Sequence, residues 1–347
     1  MTTLEEIAKR ARVSRSTVSR VINNDSKVSD STRKRVTTVV KRLNYHPNAA
    51  ARSLASGRTR ILGLVIPERV TGLFSDPYFP ILIQGITSAC NALDHSVMLW
   101  LAEPDYERRM ISQILHSGLV DGVILASMLM DDSLMQSLID STIPFILVGR
   151  HPTNSKVNYV DVDNVTSAKK LVTFLIGVGY RRIATIAGPR NMIAGVDRLE
   201  GYKLAMREHG IGMESNLVRV GDFSENSGYT IMQGLIPAKP EAVFVASDSM
   251  AVGALRAIRE AGLRVPQDIA IVGFDNMPFS ERTDPPLTTV RQPIHQAGYT
   301  AAETLIHLIA DSESHPQHIV LPTEIIIRES CSTNRLALEK TSVSLAS

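Results

Sequence analysis

Residues 3–23, TLEEIAKRARVSRSTVSRVIN, carry apolar side chains at helical spacing in two short blocks. Leu4, Ile7, Ala8 and Ala11 fall on one face of a first helix, and Thr17, Val18, Val21 and Ile22 on one face of a second. Thr3 followed by Glu6 is the reciprocal capping pattern at a helix start, and Ser14 is placed to cap the second helix. Only Ala11, Arg12 and Val13 separate the blocks, so the pattern predicts two helices that cross steeply. Val36, Val39, Val40 and Leu43 predict a third helix, capped by Ser29, whose Arg33, Lys34, Arg35, Lys41 and Arg42 stay free to meet phosphates. Pro47 stops this pattern. Residues 48–55 favour helix but are fewer than the about 12 residues an isolated helix needs in water. They are expected to fold only against a partner.

From residue 61 the period changes. ILGLVIP (61–67), SVMLWLA (96–102), DGVILAS (121–127) and PFILVG (144–149) are short runs, apolar on both faces. They predict buried parallel strands with a helix between each and the next. A loop is expected at 150–163. RRIATIAG (181–188), LVRVGDF (217–223), AVFVASD (242–248) and DIAIVGFDN (268–276) then alternate with helical patterns near 164–177, 194–209, 225–236 and 249–262. Two such series predict an α/β core of two similar, doubly wound lobes.

Charge sharpens the division between the two regions. Residues 1–60 hold 14 Lys+Arg against 4 Asp+Glu, a net of +10, and the rest of the chain holds 23 against 31, a net of −8. A basic head on an acidic body is the electrostatic footprint of a nucleic-acid reader. In a helix-turn-helix arrangement the start of the second helix enters the DNA major groove. Arg15, Ser16, Ser19 and Arg20 would point outward there. Arg forks guanine and Ser bonds several base edges. The alternative on this stretch alone is an amphipathic helix pair with a solvated basic face.

VSRSTVSRVIN, then VSDSTRKRV, then LNYHPNAAARSLASGRT resemble, in that order, the DNA-binding head of the bacterial lac repressor/gal repressor family. One departure is Arg12, where many members carry Gly and where a positive φ would be mildly unfavourable for Arg. The resemblance implies an all-α helix-turn-helix head (1–46), a hinge helix and linker (47–60), a periplasmic-binding-protein-like core (61–331) and a disordered tail (332–347). Within the core, LTTVRQP (287–293) would cross between the lobes and PTEIIIRE (322–329) would cross back. Lobe 1 then takes about 61–161 and 292–321, and lobe 2 about 162–291 and 322–331. Thr3, Ser14, Thr17, Asn23, Tyr45 and Asn48 join the DNA-facing set. Leu54 falls where the family wedges a leucine between base steps in the minor groove, with Ala51 letting two hinge helices approach closely.

Ligands of open parallel sheets sit beyond the carboxyl ends of the strands. Ser127 ends DGVILAS, Arg150 follows PFILVG, Phe223 ends LVRVGDF, Asp248 ends AVFVASD and Asp275 lies in GFDN; Arg198 lies at the start of a helix. Carboxylates and guanidinium forks bond adjacent hydroxyls, and an aromatic face covers the C–H side of a sugar ring. This set suits a small polyhydroxylated ligand, with Tyr78 or Phe79 as a further aromatic wall. SDPYF, VDRLEGY, GDFSENSGY, SDSMAVGA and GFDN also match the family's effector-pocket landmarks. Each residue has a plainer reading: Asp248 and Asp275 could cap helices, Phe223 could be core, and Arg198 could be a surface ion-pair partner. Arg150 leaves room for an acidic or phosphorylated effector as well as a neutral sugar.

Cys90 and Cys331 offer neither a disulfide framework nor metal spacing, which suits a reducing cytoplasm. The start, MTTLEEIAKR, has no apolar core of a signal peptide, and no run approaches the about 20 apolar residues of a membrane span. His315 and His318 are expected in an exposed loop. GxxxxGK[ST], GxGxxG, HExxH and GxSxG do not occur, so neither cofactor, metal nor catalytic set is expected. Leu336, Leu338, Val343 and Leu345 make no heptads, so the expected assembly is a homodimer. The reading is a cytoplasmic transcription repressor of carbohydrate genes, with a palindromic double-stranded operator and a sugar-like effector. The alternatives are a purine-responsive regulator of the corepressor type, or an intracellular sugar-binding protein or enzyme.

Overall fold

The computed structural model describes residues 3–22, 25, 27–45, 57–66, 76–100, 117–126, 130, 133–311 and 315–331. The chain divides into two compact units, Met1–Thr59 and Arg60–Ser347.

In the first unit α1 (Leu4–Ala11), α2 (Arg15–Ile22) and α3 (Asp30–Arg42) surround a small core of Ile7, Ala8, Ala11, Val18, Val21 and Val36. The Glu6 amide donates to Thr3 Oγ1 (3.3 Å) and the Thr17 amide to Ser14 Oγ (3.1 Å), so both helix starts are capped as the pattern predicts. Glu6 does not complete the reciprocal box; its carboxylate takes Arg10 at 2.7 Å. Ser29 precedes α3 with an extended backbone, but its hydroxyl bonds Ser31 and Thr32 side chains and caps no amide.

Arg12 ends α1 at φ 56° and ψ 50°, in the left-handed region. A β-carbon makes that conformation costly and glycine relieves it. Arg12→Gly is therefore expected to stabilise the head by about 1 kcal/mol. Native-state hydrogen exchange at the α1 and α2 amides should slow about fivefold, and an unchanged rate would show that the turn bears no strain.

The second unit holds two six-stranded sheets. The first contains β1 (Ile61–Val65), β2 (Ser96–Trp100), β3 (Gly122–Ala126), β4 (Phe145–Val148), β5 (Tyr159–Val162) and β11 (His318–Leu321), in the order β11-β5-β4-β3-β1-β2 and parallel throughout. The second contains β6 (Ile183–Ala187), β7 (Val218–Val220), β8 (Ala242–Val245), β9 (Ala270–Asp275), β10 (Thr288–Arg291) and β12 (Glu324–Ile326), in the order β12-β10-β9-β8-β6-β7. Here β12 alone runs antiparallel, against β10. The helices α4 (Tyr78–Ala92), α5 (Ser133–Asp140) and α10 (Ile294–Ala310) cover the first sheet. The helices α6 (Asn164–Val178), α7 (Ile193–Glu208), α8 (Glu225–Leu235) and α9 (Asp248–Glu260) cover the second. The chain passes between lobes after β5, after β10 and after β11.

Glycines set how closely helices meet. A β-carbon at Gly228 of α8 would collide with the Met250 carbonyl of α9, and one at Gly253 would collide with the Glu225 carbonyl. Two backbones thus touch where side chains would hold them apart.

Two strands lie where loops are expected. β5 falls inside 150–163; its four residues include Asp161, and a charge in so short a run hides the strand. β11 begins at His318, at the sheet edge, with its side chains alternating between exposed and half-buried. Its pairing with β5 stacks His318 on Tyr159 at 4.6 Å. His318 is therefore part of an edge strand and not of a loop. Among the described residues no cluster of His, Cys, Asp and Glu could hold a metal ion, and no helix is long and apolar enough to cross a membrane. The tail and most of the expected hinge segment lie outside the described residues.

Candidate functional site

Each unit presents one surface with chemistry. On the head, Val18 and Val21 turn α2 inward, and this leaves Arg15, Ser16 and Arg20 exposed with Ser19 half-buried beside them. Arg15 Nε lies 3.1 Å from Glu5 and Arg20 Nε 3.8 Å from Asp25. Exposed pairs of this kind are worth under about 1 kcal/mol, so either guanidinium can trade its partner for another anion. Thr3, Ser14 and Thr17 surround the same helix starts, with the Ser14 hydroxyl already bonded to Ser16 and Thr17 at 2.8 Å. Tyr45 packs half-buried against the head core. Arg33 corrects an expectation: it is not free for phosphate but donates to the Asp25 carbonyl at 2.6 Å. Asn23, Asn48, Ala51 and Leu54 lie outside the described residues.

In the second unit a cleft of about 500 Å³ opens between the two sheets, at the carboxyl ends of their strands. Its lining joins Asp76, Tyr78 and Phe79 at the start of α4, Arg150 after β4 and Asp161 of β5 to Arg198 of α7, Phe223 after β7, Asp275 ending β9 and Gln292 after β10. Seven of the expected effector residues are described, and six of them, Tyr78, Phe79, Arg150, Arg198, Phe223 and Asp275, line this one space. Ser127 lies outside the described residues.

Arg198 organises the floor. It is 5% exposed. Its Nε donates to Asn164 Oδ1 at 2.9 Å, and its Nη1 donates to the Ala246 carbonyl at 2.6 Å and to Asp275 Oδ1 at 3.1 Å. The guanidinium also lies over Phe274, 3.8 Å from the ring centre, and 5.9 Å from Phe223. Asp275 accepts a second bond from Gln292 Nε2 at 2.6 Å. Burial pushes the Asp275 carboxyl above the ordinary carboxylate range, and the Arg198 charge opposes the rise. Asp275 and Phe223 both hold positive φ, 119° and 71°, conformations that non-glycine residues rarely adopt. Gly188 accepts the Phe223 ring where a β-carbon would strike it.

A second polar group sits at the rim and joins the lobes. Arg150, from the first lobe, donates through Nη2 to Asp197 Oδ2 of α7 at 2.5 Å, and its Nε lies 3.6 Å from Asp161. The Met130 amide donates to the Asn191 carbonyl at 2.7 Å across the same rim. Asp161 Oδ1 accepts from the Val162 amide (2.8 Å) and from Asn164 Nδ2 (3.3 Å). Its Oδ2 is buried without a hydrogen-bond partner. Burial pushes the Asp161 carboxyl up to about 6, against the pull of the Val162 amide and the Arg150 charge.

Two readings need correction. Asp248 is fully buried and does not line the cleft. Its carboxylate takes the Thr289 hydroxyl at 2.6 Å and the Met277 amide at 2.8 Å, tying α9 to the turn after β9 and to β10. Nor is it the cap of α9: Ser247 is, through the Met250 amide at 3.2 Å, and Ser247 lines the cleft. Arg150 lines the cleft with two carboxylates beside it, Asp197 and Asp161. Asp76, Asp161 and Asn164 are lining residues that the sequence pattern did not single out. Asp161 and Asn164 sit at the end of the unrecognised β5 and the start of α6, where the strand-end rule would have found them.

The chain matches known proteins along nearly its whole length. A profile of bacterial regulatory proteins of the lacI family matches residues 3–48, and one of periplasmic binding protein-like domains matches residues 172–331. The HTH-type transcriptional regulator CelR of Thermobifida fusca is 40% identical over 332 residues, covering 94% of this chain and 98% of that protein. The ribose operon repressor of Escherichia coli is 34% identical, covering 95% and 100%. Among solved structures, a CelR–cellobiose complex superposes with a TM-score of 0.76 at 37% identity, covering 95% of this chain and 100% of that one. The lac repressor dimer bound to operator and an anti-inducer superposes at 0.84 with 28% identity, covering 95% and 99%.

Proposed function

The chain belongs to the LacI family of bacterial regulatory proteins, and on that premise we propose that it is a homodimeric repressor of carbohydrate-utilisation genes whose operator affinity is set by a sugar. The head reads a palindromic operator through Arg15, Ser16 and Arg20 of each protomer, with Thr3, Ser14, Thr17 and Ser19 holding the helix starts against the backbone. The exposed, loosely paired guanidinium groups on α2 support this. The sugar lies in the core cleft, against the Arg198–Asp275 pair and between the aromatic faces of Phe223 and Tyr78. It leaves unchanged, so the protein is a regulator and not an enzyme, and it acts in the cytoplasm where its DNA lies.

The observation that carries this reading is the Arg198 cluster. A guanidinium and a carboxylate are buried together, already in register, facing a cleft large enough for a small sugar. The solved complex of a CelR regulator with cellobiose makes that disaccharide the first ligand to try.

Binding to one conformational state couples ligand to operator, and the coupling is reciprocal. Cellobiose, at about 100 times its Kd, is expected to stabilise the core by about 2.7 kcal/mol and so to raise its melting temperature. The same sugar should change operator affinity in a gel-shift titration. A nucleobase that did both where sugars did neither would replace the metabolic role and keep the regulator. A panel that moves neither quantity would remove the effector reading.

A further inference from the structure

Among the described residues of the cleft lining, Asp161 Oδ2 is the one fully buried carboxylate oxygen with no hydrogen-bond partner. The residue is 8% exposed, and its other oxygen is already committed to Val162 and Asn164. An ionised carboxylate oxygen only accepts hydrogen bonds. Left unpaired in a buried site, it costs the protein stability that a donor would return. Arg150 faces it at 3.6 Å, too far for a good hydrogen bond and near enough for charge. The group is therefore held in place and left one donor short.

The charges around it select among donors. The described lining carries Asp76, Asp161, Asp222 and Asp275 against Arg150 and Arg198. Both arginines are engaged, Arg150 by Asp161 and Asp197 and Arg198 by Asp275. A phosphate binds well where an arginine fork or a lysine is open to it. Here it would meet arginines already neutralised and carboxylates of its own sign. A neutral hydroxyl meets no such repulsion and supplies the missing hydrogen.

We propose that Asp161, held beside the Arg150 that pairs with Asp197, accepts a hydroxyl hydrogen of the effector, and that this subsite selects uncharged polyhydroxylated ligands over their phosphorylated forms. This rests on the reading of the cleft as a sugar site. Arg150 comes from one lobe and Asp197 from the other, so a ligand held at Asp161 sits against the ion pair that joins them.

The test is calorimetric titration of the full-length protein and of Asp161→Asn at neutral pH. The probes are cellobiose, glucose and ribose, each beside its phosphate ester. Asn keeps the shape but puts an amide or a weaker acceptor where the carboxylate was. A cooperative unliganded melt certifies that the variant is folded. The wild type is expected to bind a neutral sugar at least about tenfold tighter than its ester, a difference of about 1.4 kcal/mol. Asp161→Asn should weaken the neutral sugar by about tenfold and narrow the gap to the ester. An ester bound as tightly as its parent sugar by the wild type would overturn the proposal. So would equal affinity of variant and wild type for the neutral sugar. If either occurs while the sugar still changes operator affinity, the subsite falls and the sugar reading stands. If no neutral sugar binds, both fall.

Discussion

Arg198→Ala should cost the core about 3–5 kcal/mol, because it leaves the buried Asp275 without its charge partner and the Ala246 carbonyl without its donor. The loss should deepen as pH rises. Burial already raises the Asp275 carboxyl, and the Arg198 charge is what restrains it. Without that charge the folded state holds the proton more tightly still, so the variant loses further stability relative to wild type only as the solution passes above about pH 7, where the wild-type Asp275 ionises and the variant's does not. Urea melts at acid, neutral and alkaline pH measure both effects. Adding Asp275→Asn separates structure from binding. The double variant removes the stranded carboxylate, so it should regain part of the lost stability, since neighbouring substitutions are not additive. It should not regain the sugar-induced rise in melting temperature. Recovery of that response would show that the Arg198–Asp275 pair is scaffold and that the ligand is held elsewhere.

How much of this was visible in the sequence depends on distance along the chain. The head is local: caps, stripe and short turn all lie within about 20 residues, and α1 and α2 form where the pattern puts them. Phe223 and Asp275 are legible as cleft residues because the strand-end rule needs only the strands. Asp248 satisfies the same rule and misses the cleft. Its partners, Met277 and Thr289, are 29 and 41 residues away, and nothing in SDSMAVGA announces them. Arg150 lines the cleft, but the carboxylate that pairs with it is not legible for the same reason, since Asp197 follows by 47 residues and comes from the other lobe. β5 was missed because a binding group interrupts it. The Asp161 charge that makes the strand unreadable as a strand is the charge that gives the cleft its unpaired acceptor. Local consistency fails where a chain carries function, so a missed element is a place to look for a site.

That trade of stability for binding yields the second large effect. Asp161→Asn should make the unliganded protein more stable at neutral pH. A carboxyl held at about 6 in the folded chain, against an ordinary 3.8, costs the folded state up to about 3 kcal/mol once the solution is above both values. The sign follows from proton binding. The folded state holds the Asp161 proton more tightly than the unfolded chain, so stability falls as pH rises from about 4 to about 6 and changes no further through this group. An amide does not titrate. Variant and wild type should therefore melt together below about pH 4 and separate above about pH 6, with the variant higher. Arg150 gives up one of two carboxylates in the exchange but keeps Asp197 at 2.5 Å, so the gain survives its loss. Melting curves across that range, without ligand, decide it. A variant less stable than wild type at every pH would mean that Asp161 is a structural partner of Arg150 and that its bare oxygen costs the fold nothing. A variant more stable and less responsive to sugar is what a residue kept for binding, at the expense of the fold, should produce.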